Sequence, residues 1–290
     1  MRRLLFLAFF LAATTASAAR VDTLAIPSAA MQKTYLAAVV LPASYAKNKK
    51  ANYPVLYLLH GAYGHFSDWL KSPPDKQLVH RLADQYNLII VLPEGETFSF
   101  YLNSPVNPAS QFETHLTQEV IAKVDQTYRT VRDRRGRVIA GLSMGGHGAL
   151  YLAARHPDLY SAAGSMSGAL DLQSINRKLT PEAAAQRAQL WVPVLGSETE
   201  NPERFATNSV VNLVDQLQRT KLPLIIDCGV DDGLLEINRE VHRRLLYNHT
   251  PHDYTERPGA HTWEYWQNAL PYQLLFFQQV LKGNGVAVPL

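Results

Sequence analysis

Short apolar runs alternate with amphipathic stretches over most of the chain. Tyr53–Leu59, Leu88–Leu92, Arg137–Ala140, Ala162–Met166 and Ile225–Val230 are of strand length and largely apolar, the pattern of strands covered on both faces. Asp75–Tyr86 and Ser110–Tyr128 repeat apolar residues at helical spacing. Ala149–Arg155 reads as a helix stopped at His156-Pro157, and a last helix runs from Trp263 to about Leu281. Val21–Ile26 and Tyr35–Leu41 read as two leading strands, and His252–Arg257 alternates like an edge strand. This rhythm predicts one α/β domain: a mostly parallel central sheet with helices on both faces. The rhythm breaks over residues 168–208, which hold no clear strand and include Pro181, Pro193 and Pro202. An insertion of this kind after a strand end reads as a small cap. A second irregular stretch, Glu94 to Pro108, carries Phe98, Phe100, Tyr101 and Asn103 and is a candidate wall for a pocket.

Composition narrows the class. At 290 residues and 47% hydrophobic content, one domain with a large core is the natural size. Met1-Arg2-Arg3, the ten-residue apolar run Leu4–Ala13 and the small residues to Ala19 have the form of a secretory signal peptide over 1–19, with the domain over 20–290 and a secreted or periplasmic location. The apolar run is too short to span a bilayer. The formal charge is +3, and loss of Arg2 and Arg3 leaves +1, a near-neutral surface that argues against a nucleic-acid partner. The single Cys228 lies in an apolar strand and reads as packed. No HExxH, no paired Cys and no strand followed by GxGxxG is present, so neither a metal nor a nucleotide cofactor is expected.

The chemistry centres on Gly141-Leu142-Ser143-Met144-Gly145, a G-x-S-x-G pattern between a predicted strand and a predicted helix. A turn this sharp crowds the residues two before and two after the serine, and glycine removes the clash. The helix start then points free amides and a positive dipole end toward the space beside Ser143. A serine hydroxyl needs a base to take its proton and a third group to orient that base, and in this architecture the chain order is Ser, acid, His. His261, in a loop after the His252–Arg257 strand, is the best base. Asp231 and Asp232 follow the Ile225 strand, and only one can face the imidazole. Asp232 is favoured by its place beyond the strand, Asp231 stands as the alternative, and Glu236 is a distant third. His147 reads as packed, and His60 as a pocket-lining residue. Tyr101 and Trp263 are the aromatic candidates for substrate contact. His60-Gly61-Ala62-Tyr63-Gly64 is a glycine turn after the Tyr53 strand; the Ala62 and Met144 amides are the expected oxyanion donors.

The blocks YPVLYLLHGAYGHFSDW, GRVIAGLSMGGHGALYLAARHPDLYSAAGSMSG, IDCGVDDGLLE and PGAHTWEYW, with SPVNPASQFETHLTQEVIAKVDQTYRT, resemble the esterase family of α/β-hydrolases that holds esterase D and S-formylglutathione hydrolases, feruloyl and acetyl-xylan esterases and the antigen 85 mycolyltransferases. The likeness runs from about Val21 to Phe277. It implies an α/β-hydrolase fold, a nucleophile at Ser143, an acid at Asp232 through the pattern Cys-Gly-x-x-Asp-x-Leu, a base at His261, and oxyanion amides at Ala62 and Met144. Ala62 departs from the larger residue, such as leucine, often found there, which would widen the acyl side. The function implied is a serine carboxylesterase acting on a small-molecule ester, carbohydrate- or aryl-linked. Siderophore or other lactone hydrolysis and acyl transfer to a sugar hydroxyl would use the same three residues. A carbohydrate-binding protein without catalysis would need none of them.

Overall fold

A computed structural model describes residues 18–175 and 179–286. Most of the expected signal segment, and positions 176–178 of the expected cap, lie outside them. Among the described residues eight strands form one sheet: β1 (Arg20–Ser28), β2 (Lys33–Leu41), β3 (Val55–Leu59), β4 (Ile89–Pro93), β5 (Arg137–Leu142), β6 (Ala162–Met166), β7 (Leu224–Gly229) and β8 (Asp253–Arg257). Their spatial order is β1-β2-β4-β3-β5-β6-β7-β8. β2 pairs antiparallel with β1 and β4, and every pairing from β4 to β8 is parallel.

The two-residue period of a strand explains the three layers. Along β3, Val55, Tyr57 and Leu59 join one buried cluster, with Phe112, Val124, Leu150, Val241 and Leu245 from helices on that face. Leu56 and Leu58 join another, with Leu82, Leu270, Leu274 and Phe277 from the Leu78–Tyr86 and Trp263–Gly283 helices on the opposite face. The Met144–Arg155 helix is buried along nearly its whole length, which accounts for its apolar composition. Glu113, itself buried, holds that helix from the neighbouring Phe112–Thr114 helix of the same layer: it accepts from Tyr151 Oη (3.0 Å), Arg155 Nε (2.9 Å) and His156 Nε2 (2.8 Å). Burial alone would raise the Glu113 carboxyl; the bonds from His156 and Arg155 outweigh it and hold it down to about 2.

Two helices start later than their sequence pattern suggests, for the same reason. Asp75 stays outside its helix because its carboxylate accepts from Gln77 N at 2.9 Å and from Arg81. Ser110 and Gln111 are taken by the preceding loop, where Ser110 O accepts from Ser104 N (2.8 Å) and Gln111 Nε2 donates to Ser104 O (2.9 Å). Polar side chains and amides near a helix start compete with the helix for backbone partners. Among the described residues no helix is long and apolar enough to cross a membrane.

Candidate active site

Because β3, β5, β7 and β8 run parallel, their carboxyl ends share one edge of the sheet. Leu59 pairs with Gly141, Leu142 with Met166, Met166 with Asp227, and Gly229 with Arg257. The loops that follow carry His60–Gly64, Ser143, Asp232 and His261. Ligand sites of open α/β sheets form at that edge.

Ser143 joins β5 to the Met144–Arg155 helix with φ 53° and ψ −116°, a strained conformation for a residue bearing a Cβ. The strain is held by close backbone packing. A Cβ on Gly141 would overlap the carbonyl group of Gly145, and one on Gly145 would lie 2.6 Å from the Leu59 and His60 carbonyl oxygens. Gly141→Ala is therefore expected to destabilise the fold by about 1–3 kcal/mol or more. Gly283→Ala, where a methyl meets nothing within 4 Å, should be neutral or slightly stabilising. Urea midpoints of the two variants check this, and equal midpoints would contradict it.

The structure brings the three predicted polar residues into one line. Ser143 Oγ lies 2.9 Å from His261 Nε2, and His261 Nδ1 lies 2.8 Å from Asp232 Oδ2. The Asp232 carboxylate is buried, so Nδ1 carries the proton that it donates there, and Nε2 is left to accept from the serine hydroxyl. Asp232 Oδ1 accepts from the Leu234 N–H at 2.8 Å. Burial alone would raise the Asp232 carboxyl; the bonds from His261 and Leu234 outweigh it and hold it below the usual carboxylate range. Asp231 is exposed, and among the described residues only its backbone is bonded, its N–H donating to Gly259 O. The His261 ring stands edge-on to Trp266 at 4.9 Å.

The glycine turn lies against this line: a Cβ on Gly61 would sit 3.4 Å from Ser143 Cβ. Among the described residues, the Ala62 and Met144 backbone N–H groups donate to no protein acceptor, as free oxyanion donors would.

A cavity of about 470 Å³ opens above Ser143. Its wall includes Ala62, Tyr63, Phe98, Phe100, Trp263 and Trp266, and, from the irregular 168–208 stretch, Ala169, Ile175, Leu179 and Arg187. A larger cavity, about 690 Å³, lies at the amino ends of β7 and β8 and holds none of the residues bonded to Ser143; chemistry rather than size marks the site.

Two pocket expectations are corrected. His60 is buried, and both its ring nitrogens are spent on backbone: Gly95 N–H donates to Nε2 (2.9 Å) and Nδ1 bonds Gly61 O (2.8 Å). Tyr101 is fully buried; its hydroxyl donates to His60 O (3.0 Å), and a Cβ on Gly148 would lie 2.5 Å from its ring. Both residues brace the glycine turn from beneath and do not line the cavity. Trp263 does line it. His147 is packed, bonded through Nε2 to Asn208 O at 2.7 Å, and burial pushes its imidazole down to about 4, so it is neutral. Burial pushes the Cys228 thiol well up, leaving it unionised. Arg187 and Leu179 in the wall carry no sequence signal; they lie in a stretch without motif. Among the described residues no group of three or more His, Cys, Asp or Glu could hold a metal ion.

A parallel sheet with an elbow serine, a late acid and a late histidine at its carboxyl edge defines an α/β-hydrolase. The family model described as "Putative esterase" matches residues 28–277, and the chain belongs to that family. An acetyl esterase of Caldicellulosiruptor saccharolyticus is 27% identical over 223 residues, covering 74% of this chain and 79% of that protein. An esterase of Mycobacterium tuberculosis is 29% identical over 239 residues; the match covers 77% of this chain and 51%, about half, of that protein. A solved ferulic acid esterase superposes with a TM-score of 0.74 at 30% identity, over 91% of this chain and 99% of that one. The protein is an enzyme of carboxylic ester hydrolysis.

Proposed function

We propose that the protein is a serine carboxylesterase that cleaves small acyl or aryl esters through an acyl-enzyme. The observation that carries this reading is the Ser143–His261–Asp232 line with its 2.9 and 2.8 Å bonds. Ser143 Oγ attacks the ester carbonyl carbon while His261 Nε2 takes the hydroxyl proton. The carbonyl oxygen becomes an oxyanion beside the Ala62 and Met144 amides and the positive end of the Met144–Arg155 helix. The C–O bond to the alcohol breaks, and imidazolium His261 protonates the leaving oxygen. Water then enters, gives its proton to His261 and attacks the acyl carbon; collapse frees the acid and returns the proton to Ser143. Asp232 keeps Nδ1 protonated and stabilises the imidazolium throughout.

The aromatic wall and the volume of about 470 Å³ suit an acetyl group with an aryl partner, or a cinnamoyl-sized acyl group. Relatives named acetyl esterase and ferulic acid esterase support that range. Ala169, Ile175, Leu179 and Arg187 stand in the cavity wall, which supports the reading of 168–208 as a cap. The basic start and ten-residue apolar run before Ala19 support export of the mature chain.

Rapid mixing with p-nitrophenyl acetate, p-nitrophenyl butyrate and an aryl ferulate tests the reading. A burst of alcohol product and an acyl mass gain on the peptide bearing Ser143 are expected for at least one ester. Turnover with the adduct on another residue would overturn the assignment.

A further inference from the structure

Among the described residues, the acidic and basic side chains of the cavity wall are Asp68, Arg187, Asp232 and His261. Asp232 and His261 are bonded to each other. Asp68 Oδ2 accepts from the His65 backbone N–H at 3.1 Å. Arg187 is the exception: it is only partly exposed, yet among the described residues its guanidinium has no hydrogen bond and no ion pair.

Its placement is set by the helix that bears it. The Pro181–Trp191 helix starts at Thr180, whose hydroxyl accepts from Ala183 N, and proline occupies its first turn. Its far end is fastened by Trp191, buried with ring centroids 4.9 Å from Phe98, 4.5 Å from Phe100 and 5.3 Å from Phe205. Arg187 lies four residues before Trp191, so the two share one helix face. Phe98 and Phe100, on which Trp191 packs, are themselves cavity wall. The packing that anchors Trp191 therefore turns the Arg187 face toward the cavity.

A guanidinium beside aromatic walls, partly withdrawn from water, gains most from a carboxylate that can take two of its N–H donors at once. We infer that Arg187 is a specificity-determining residue that selects esters carrying a carboxylate away from the scissile bond. This rests on the esterase reading above. Such a residue would set which substrate binds and leave the bond-breaking groups to Ser143 and His261.

Two pairs of isosteric esters test it: 4-acetoxybenzoate against 4-acetoxybenzamide, with the charge on the leaving group, and phenyl 4-carboxybenzoate against phenyl 4-carbamoylbenzoate, with the charge on the acyl group. The readout is the ratio of kcat/KM for the carboxylate to that for the amide. In Arg187→Met, which keeps an unbranched helix-forming stem, this preference should fall about tenfold or more in one pair, mainly through KM. Arg187→Lys should restore part of it, and added salt should weaken it in the parent enzyme. Unchanged ratios in both pairs would overturn the inference. Binding of 4-hydroxybenzoate and of terephthalate monoamide to Ser143→Ala, with and without Arg187→Met, gives a separate answer. If the parent enzyme turned over none of the four esters, weaker binding of either anion in Arg187→Met would still support Arg187 as the anion contact, and equal binding of both would reject it; the esterase reading itself stands or falls on the p-nitrophenyl and ferulate assays.

Discussion

Ser143→Ala is expected to lower ester turnover by about 10⁴- to 10⁶-fold, the scale on which losing an activated serine acts in hydrolases that use one. The remaining activity would come from binding and from the Ala62 and Met144 amides, which the substitution leaves in place. The protein should stay folded. Alanine keeps the Cβ at φ 53°, so the strain of the elbow is unchanged, and among the described residues the lost hydroxyl has a single side-chain partner, His261. One partly solvated hydrogen bond is worth about 1 kcal/mol. Steady-state assays beside a urea melt separate the two effects. Turnover near that of the parent enzyme would remove Ser143 from the mechanism.

Asp232→Asn should cost about 10⁴-fold, while Asp231→Asn should leave turnover close to the parent value. The two residues are adjacent, and the difference comes from where the β7 loop turns. Asp232 is 5% exposed and its Oδ2 accepts from the His261 Nδ1–H, whereas Asp231 is exposed and its side chain has no bond among the described residues. An asparagine at 232 offers its amide N–H₂ to Nδ1 at least part of the time. The imidazole then takes the tautomer protonated on Nε2, and that nitrogen can no longer accept from Ser143. A larger loss in Asp231→Asn than in Asp232→Asn would move the acid by one residue.

Much of this site can be read along the chain because its parts are local signals at strand ends. The elbow is a contiguous pattern, since a strand-to-helix turn this tight demands glycine within a few residues of Ser143. The acid and histidine loops follow apolar strands whose parallel pairing carries them to one edge. The aromatic loop was less legible. Phe98, Phe100 and Tyr101 are near neighbours of similar character, yet the first two face the cavity and Tyr101 is bolted between His60 O and Gly148. Positive φ at both Phe100 and Tyr101 breaks the regular alternation that would otherwise forecast side-chain direction. His60 misled for a related reason: a histidine beside an active-site turn suggests substrate contact, but backbone groups of Gly61 and Gly95 occupy both of its nitrogens.

By itself the sequence determined the α/β layering, the strand that ends at Ser143 and the order of serine, acid and histidine, because each is written in a short-range pattern of apolar runs, glycines and turn residues. Only the tertiary structure decided Phe100 over Tyr101 in the wall and put Arg187 on the cavity face of its helix; for Asp232, which the sequence already favours over Asp231, it supplied the contact with His261. Those outcomes depend on packing between elements distant in the chain, and sequence neighbours record no such packing.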